Sequence, residues 1–240
     1  RSQAFEAAGA YPDGLFEQLA GLGLMGMTAP EEFGGAGADY VSYALALIEI
    51  AAADGALSTI VSIQNSLIVA AILKDGTPEQ QTRFLPELVA GRMIGAFALT
   101  ETDAGSDAAA LRTRATAAEG GYVLNGAKQF ITSGKIAGVT LIVAITDPEA
   151  GKRGMSAFLV PTDSLGYAID KVEHKLGQAA SDTCAIRFTD LFVPEDLRLG
   201  AEGQGYRIAL GNLETGRIGI AAQSIGMAQA ALEMAIGYAK

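Results

Sequence analysis

The sequence predicts an α+β fold in three parts: an N-terminal all-α domain over residues 1–95, a middle antiparallel β domain over 96–200, and the start of a C-terminal helical bundle over 201–240. Three observations predict it. The first 95 residues repeat apolar side chains at helical spacing. From Ala96 to about Val193 the apolar runs are short, β-branched and punctuated by Gly, Asn, Asp and Pro. Beyond Gly203-Gln204-Gly205 helical periodicity returns. Half of the 240 residues are apolar and only 18% are charged, which supplies a packed core and excludes extended disorder.

In the N-terminal part, Leu15, Leu19 and Leu22 keep one helix face apolar behind a start at Pro12-Asp13, and Phe33-Gly34-Gly35-Ala36-Gly37 then breaks the pattern. Residues 41–53 and 57–73 are so poor in charge that both are expected to be largely buried helices. Thr77-Pro78-Glu79-Gln80 is a capping box with proline at the first helical position, so a helix begins at Pro78. Pro86 is expected to end or kink it near Phe84. In the middle part, strands are expected at 113–117, 122–124, 139–146, 155–160 and 185–188, and Asn125-Gly126 reads as a two-residue hairpin turn. In the last part Ile218, Ala222, Ile225, Ala228, Leu232 and Ala235 hold an apolar stripe. It runs to Lys240 without a terminator, the pattern of a truncated bundle.

Composition excludes several function classes. Lys and Arg total 17 against 27 Asp and Glu, a net charge of −10, the wrong sign for a phosphate-backbone binder or a basic membrane-surface helix. One cysteine, Cys184, excludes an internal disulfide framework, and with one histidine, His174, it leaves no metal site expected. The longest unbroken apolar run, residues 67–73, covers seven residues where a membrane span needs roughly 20, so no span is expected. The chain opens on Arg1; a cytoplasmic location is expected, with the mitochondrial matrix left open. Gly-x-Gly-x-x-Gly between a strand and a helix is missing, and so is a Walker loop. His174, between Glu173 and Lys175, reads as a surface residue, and Cys184 as a small packed side chain.

The informative segment is Ala98-Leu99-Thr100-Glu101-Thr102-Asp103-Ala104-Gly105-Ser106-Asp107. A strand that ends in hydroxyls and then glycine turns backbone N–H groups outward, with Ser106 adding a donor, an arrangement that can hold a pyrophosphate. Taken alone the same residues equally make a polar turn, and that plainer reading is the favoured one. Gln129-Phe130-Ile131-Thr132 again ends a strand. Alternation puts Phe130 and Thr132 on one face, where a ring can stack on a flat group and a hydroxyl can bond its edge.

Residues 98–107 resemble the first signature of the acyl-CoA dehydrogenase family at every constrained position. Residues 125–132 resemble that family's flavin-stacking strand, 152–161 a later strand, 188–194 the exit from its β domain, and 216–221 its short-chain branch. The resemblance implies FAD as cofactor, with Phe97, Leu99, Thr100, Gly105 and Ser106 lining the flavin and its pyrophosphate. It implies that Phe130, Ile131 and Thr132 pack on and hydrogen-bond the ring system. Ser106 would also border the CoA tail, and a turn containing Glu214 and Arg217, at a helical start, would touch its pantetheine portion. The implied reaction is α,β-dehydrogenation of a short acyl-CoA thioester to the 2-enoyl-CoA. The implied partners are the acyl-CoA and an acceptor like electron-transfer flavoprotein, and the complete protein would be a homotetramer.

Three positions depart from the family pattern. Phe130 stands where many relatives have Trp, and Gly177-Gln178-Ala179 lacks a common arginine. No catalytic residue is assigned: the family's glutamate base lies beyond Lys240 in most members, and in a minority at the position of Gly216. Glu101 and Glu214 match neither place, and Glu101 reads as a structural hydrogen-bonding group. The rival readings are a flavin-dependent monooxygenase or oxidase of the same fold, and a non-catalytic binding or assembly module.

Overall fold

The computed structural model describes residues 2–240. Two short helices, α1 (Ser2–Ala8) and α2 (Leu15–Gly21), lead into α3 (Tyr40–Ala53) and α4 (Gly55–Ile63). Aspartates start both of the latter: Asp39 accepts from Ser42 N at 2.8 Å and Asp54 from Leu57 N at 3.0 Å, each satisfying an amide that the helix leaves without a partner. Leu22 lies just past α2 and is 75% exposed, so the apolar face predicted there stops at Leu19. α3 is buried on one side only, through Tyr43, Leu47 and Ala51; Val41 and Leu45, expected inside, are exposed.

Between α4 and α5 (Ala70–Asp75) the helix widens into a π turn over Gln64–Val69. Two buried amides begin it. Gln64 donates to Leu88 O (2.9 Å) and Met93 O (3.0 Å) and accepts from Gly95 N (2.9 Å). Asn65 accepts from Met27 N (2.6 Å) and donates to Leu24 O (2.9 Å). The widened turn thus lies where two buried amides satisfy backbone groups of the neighbouring segments, as π turns often do at places of special demand. The stretch Gly55–Asp75 is long and apolar enough by composition to cross a membrane, yet 67% of its most apolar 18-residue window is buried within the fold, the behaviour of a core helix. α6 (Pro78–Val89) begins with the predicted capping box. It continues past Pro86 to Val89, so the proline does not end it near Phe84. The carbonyl that loses its donor belongs to Thr82 on the exposed side, while Phe84, Leu85, Leu88 and Val89 anchor the inner side.

Eight strands follow: β1 (Gly95–Ala98), β2 (Arg114–Ala118), β3 (Gly121–Thr132), β4 (Val139–Ile145), β5 (Met155–Pro161), β6 (Tyr167–Val172), β7 (Thr183–Pro194) and β8 (Arg198–Leu199). They form one sheet in the order β6-β7-β3-β2-β4-β5-β8, with β1 beside β4. The pairing is mostly antiparallel, but β1 runs parallel to β4 and β2 meets β4 through one parallel pair, so the sheet is mixed. Asn125-Gly126 is not a hairpin turn. The turn falls at Glu119-Gly120, and β3 continues through Asn125, where β7 carries one extra residue. There the Asn125 amide accepts from Asp190 N at 2.9 Å and donates to the Asp190 carboxylate at 3.1 Å, so the asparagine serves a bulge on the neighbouring strand.

α7 (Gly205–Ala239) closes the fold as one 35-residue helix. Beyond Ile208 and Ala209 near its start, its buried residues are small or amide, Asn212, Gly216, Gly219, Ala222, Gln223 and Gly226, and the helix packs on α3 and α4. Of the predicted apolar stripe, Ala222 turns inward, while Ile218, Ile225 and Leu232 face outward. The close approach requires glycine: a Cβ on Gly226 would lie 2.2 Å from Ile48 O, and one on Gly219 would lie 2.5 Å from the Tyr43 hydroxyl.

Candidate flavin site

The ends of β1 and β3 are tied side by side. Gln129 N donates to Thr100 O at 2.9 Å, and Glu101 and Ala104 exchange backbone hydrogen bonds of 3.1 Å that close the turn before Gly105. Beneath this junction Lys128, 0% exposed, donates to Leu99 O (3.0 Å) and to Glu101 Oε1 (2.8 Å). The Glu101 carboxylate also accepts from Arg112 N (2.6 Å) and Thr113 N (3.0 Å). Burial pushes the Glu101 pKa up, but the Lys128 charge and these hydrogen bonds outweigh it and hold the carboxyl below its usual range. Burial pushes the Lys128 ammonium the other way, below the usual lysine value, against the pull of Glu101. Glu101 is thus a structural group, as expected.

Above the junction opens a cavity of about 360 Å³. Phe97, Leu99, Thr100, Gly105, Ser106, Phe130, Ile131 and Thr132 all line it, with Ile63 and Leu67 from the first helical part and Leu213 and Arg217 from α7. The eight residues proposed for a cofactor therefore converge. The reason is not simple alternation. Between Lys128 and Ile131, β3 carries one residue more than β7, so Lys128 and Ile131 point inward and Phe130 stands out at φ 58°, 59% exposed. A bulky aromatic in the left-handed region is a backbone conformation held by its surroundings. On the opposite wall a Cβ built on Gly105 would meet nothing within 4 Å, so that side is open to a ligand.

A second cavity, about 400 Å³ and mainly apolar, adjoins the first. Thr59, Ser62, Ser66, Gly216 and Ile220 line it, and it shares Ile63, Leu67, Thr132, Leu213 and Arg217 with its neighbour. Among the described residues neither lining contains an Asp or Glu. Glu214 and Arg217 lie ten or so residues inside α7 rather than in a turn at its start. Arg217 reaches both cavities; Glu214 is exposed and reaches neither, because at about 100° per residue it sits on the flank beyond the Leu213–Arg217 edge.

His174 is exposed. Cys184 is buried, its thiol pushed up to about 12 by burial and by a 3.2 Å hydrogen bond to Asp182. Among the described residues no three His, Cys, Asp or Glu side chains form a metal cluster. A wider recess of about 480 Å³ lies between α1 and α4, but its Asp54 is already committed to Tyr11 and to the α4 cap. Sequence reasoning missed Lys128, Ile63, Leu67 and Leu213. The lone lysine in an apolar strand was a signal for the first, and the four-residue spacing of Ile63 and Leu67 for one helical face.

Fold and cavities define a helix–sheet–helix chain with an aromatic-walled cavity at the ends of two strands, and comparison with known proteins gives its family. Residues 1–92 match the N-terminal domain of acyl-CoA dehydrogenase, 96–191 its middle domain and 203–240 its C-terminal domain. An acyl-CoA dehydrogenase of Bacillus subtilis (strain 168) is 45% identical over 239 residues, all of this chain and 63% of that protein. The structure of butyryl-CoA dehydrogenase from Megasphaera elsdenii superposes with a TM-score of 0.94 at 39% identity, covering 98% of this chain and 62% of that one. A glutaryl-CoA dehydrogenase from Mycobacterium smegmatis, in complex with FADH2, gives 0.91 at 36% identity over 98% and 59%. The chain belongs to the acyl-CoA dehydrogenase family. It spans about three-fifths of the length of these relatives.

Proposed function

We propose that this chain forms the flavin-holding part of an FAD-dependent dehydrogenase that converts a short acyl-CoA thioester to the 2-enoyl-CoA. The observation that carries the reading is the cavity itself: an exposed ring on a strained backbone, a hydroxyl two residues on, and an open Gly-Ser turn face one volume. Phe130 packs against the flat ring system and Thr132 hydrogen-bonds its edge. Gly105 and Ser106 receive the pyrophosphate with backbone and hydroxyl donors, and Phe97, Leu99 and Ile131 exclude water from the inner wall. When bound, FAD supplies the hydride acceptor for the β-carbon. The second, apolar cavity takes the acyl chain, while Arg217 and Ser106 hold the CoA portion. That a relative is named for butyryl-CoA supports a short chain.

Removal of the α-proton needs a carboxylate at the face opposite the flavin, and both linings lack one. We therefore place the base outside these 240 residues. The remaining partners in this reading are an electron-transfer-flavoprotein-like acceptor and further copies of the chain in a homotetramer. Anaerobic mixing of the complete flavoprotein with butyryl-CoA tests it: rapid bleaching of the flavin supports the dehydrogenase. No bleaching with oxygen-dependent turnover supports an oxidase or monooxygenase, and failure to take up flavin supports a binding module.

A further inference from the structure

Lys128 is an expensive residue to keep where it is. Its side chain is wholly buried on the inner face of β3, in register with Ile186 of β7, a place where an apolar residue of similar volume costs no desolvation. It touches neither cavity. What it does touch are the segments that build the first one: Leu99 O at 3.0 Å from the β1 end, and Glu101 at 2.8 Å, whose carboxylate holds Arg112 N and Thr113 N. The strand irregularity begins at Lys128 itself. Regular alternation would make Phe130 the next inward residue; instead the extra residue makes it Ile131, 1% exposed, and swings Phe130 out to the cavity wall.

We propose that Lys128 is the positioning residue of the cofactor cavity: anchored at Leu99 O and Glu101, it pins the bulge in β3 that presents Phe130 and Thr132 to the flavin. The inference rests on the flavin reading above for its ligand, though not for its geometry. The anchoring fixes two walls at once, since Leu99 belongs to one and the Lys128–Ile131 bulge sets the other. A ligand clamped between two walls loses affinity when either drifts by a fraction of an ångström.

The test compares Lys128→Met with the double variant Lys128→Met/Glu101→Gln. The single variant leaves a nearly buried carboxylate without its cation and is expected to lose stability for that reason alone. The double variant removes that charge and is expected to recover most of the melting temperature while still binding FAD at least tenfold more weakly than wild type, with an altered visible circular dichroism of the bound flavin. Recovery of wild-type FAD affinity and dichroism in the double variant would overturn the proposal, since Lys128 would then only neutralise Glu101. A ligand-free readout separates this from failure of the flavin reading. Amide exchange at residues 129–133 is expected to quicken in the double variant whether or not FAD binds, and unchanged exchange there counts against the positioning role.

Discussion

Gly226 and Gly211 lie on the same helix, and replacing each by alanine is expected to move stability in opposite directions. In α7 both gain the helix propensity of alanine over glycine, about 0.8–1.0 kcal/mol. They differ in what the new methyl meets. At position 211 the nearest heavy atom is the flexible Lys74 Nζ at 3.5 Å, an ordinary contact. At 226 the methyl would sit 2.2 Å from Ile48 O and 3.0 Å from Ala51 Cβ, atoms of the α3 body that cannot rotate away. A carbon–oxygen contact normally needs about 3.3 Å or more, so α7 must retreat by about 1 Å along its seam with α3. Overpacking of that kind costs about 1–3 kcal/mol. The propensity gain cancels between the two variants, so their difference reads the steric cost alone: Gly226→Ala is expected about 1–3 kcal/mol less stable than Gly211→Ala. Guanidinium unfolding followed by far-UV circular dichroism, with slopes checked for equality, measures it. Equal midpoints, or a higher one for Gly226→Ala, would refute the close packing of α7 on α3.

Phe130→Ala should weaken FAD binding by the stacked area it removes, and Thr132→Val should shift flavin potential or affinity with little effect on melting temperature; unchanged flavin properties in both would remove these residues from the site. The 240-residue chain loaded with FAD is expected to be reduced by butyryl-CoA about 10²–10⁴-fold more slowly than the complete protein, the usual cost of a missing general base, and stopped-flow absorbance under argon would reveal a base within the chain if the rates matched. Glu101, held below its usual range, contributes stability that is present above about pH 4.3 and lost as the pH falls through its folded-state value; Glu101→Gln should flatten the acid limb of a melting-temperature profile. Lys128, lowered to about 8, gives a slope of the same sign at high pH: above that value the unfolded chain holds the extra proton, so stability rises toward pH 10, a rise that Lys128→Met should abolish. Cys184, buried with its thiol pushed up to about 12, should resist iodoacetamide at neutral pH until the protein unfolds, and mass spectrometry of the native protein showing rapid labelling would contradict its burial.

The order of helices, strands and helix was legible because periodicity and turn residues act locally. Thr77 and Gln80 form their capping box within four residues, and the structure contains it as read. What was not legible depended on neighbours distant in the chain. Pro86 sits inside a helix because the tertiary packing of Phe84 and Leu88 outweighs one lost hydrogen bond. Asn125-Gly126 carries hairpin chemistry, but its partner is Asp190, 65 residues away. The cavity residues were legible as a set through the family pattern and its strand ends. The device that aims Phe130, a register slip against β7 with a buried lysine beneath it, needed the pairing of strands whose alignment no single segment encodes. Glu214 falls outside both cavities for a related reason: a helix in place of a turn swings its side chain away from that of Arg217, which lines both.

The two cavities share five residues, Thr132 and Arg217 among them, so the wall between them is the boundary of two volumes and belongs to both. Whatever fills one therefore fixes side chains that the other needs. By thermodynamic linkage the effect runs equally in both directions: if flavin in the first volume raises affinity for an acyl thioester in the second by some factor, the thioester must raise flavin affinity by the same factor. Under the proposed flavin reading, a factor above one means that retention of the cofactor rises with thioester concentration, to be read as slower flavin loss on dilution when the thioester is present.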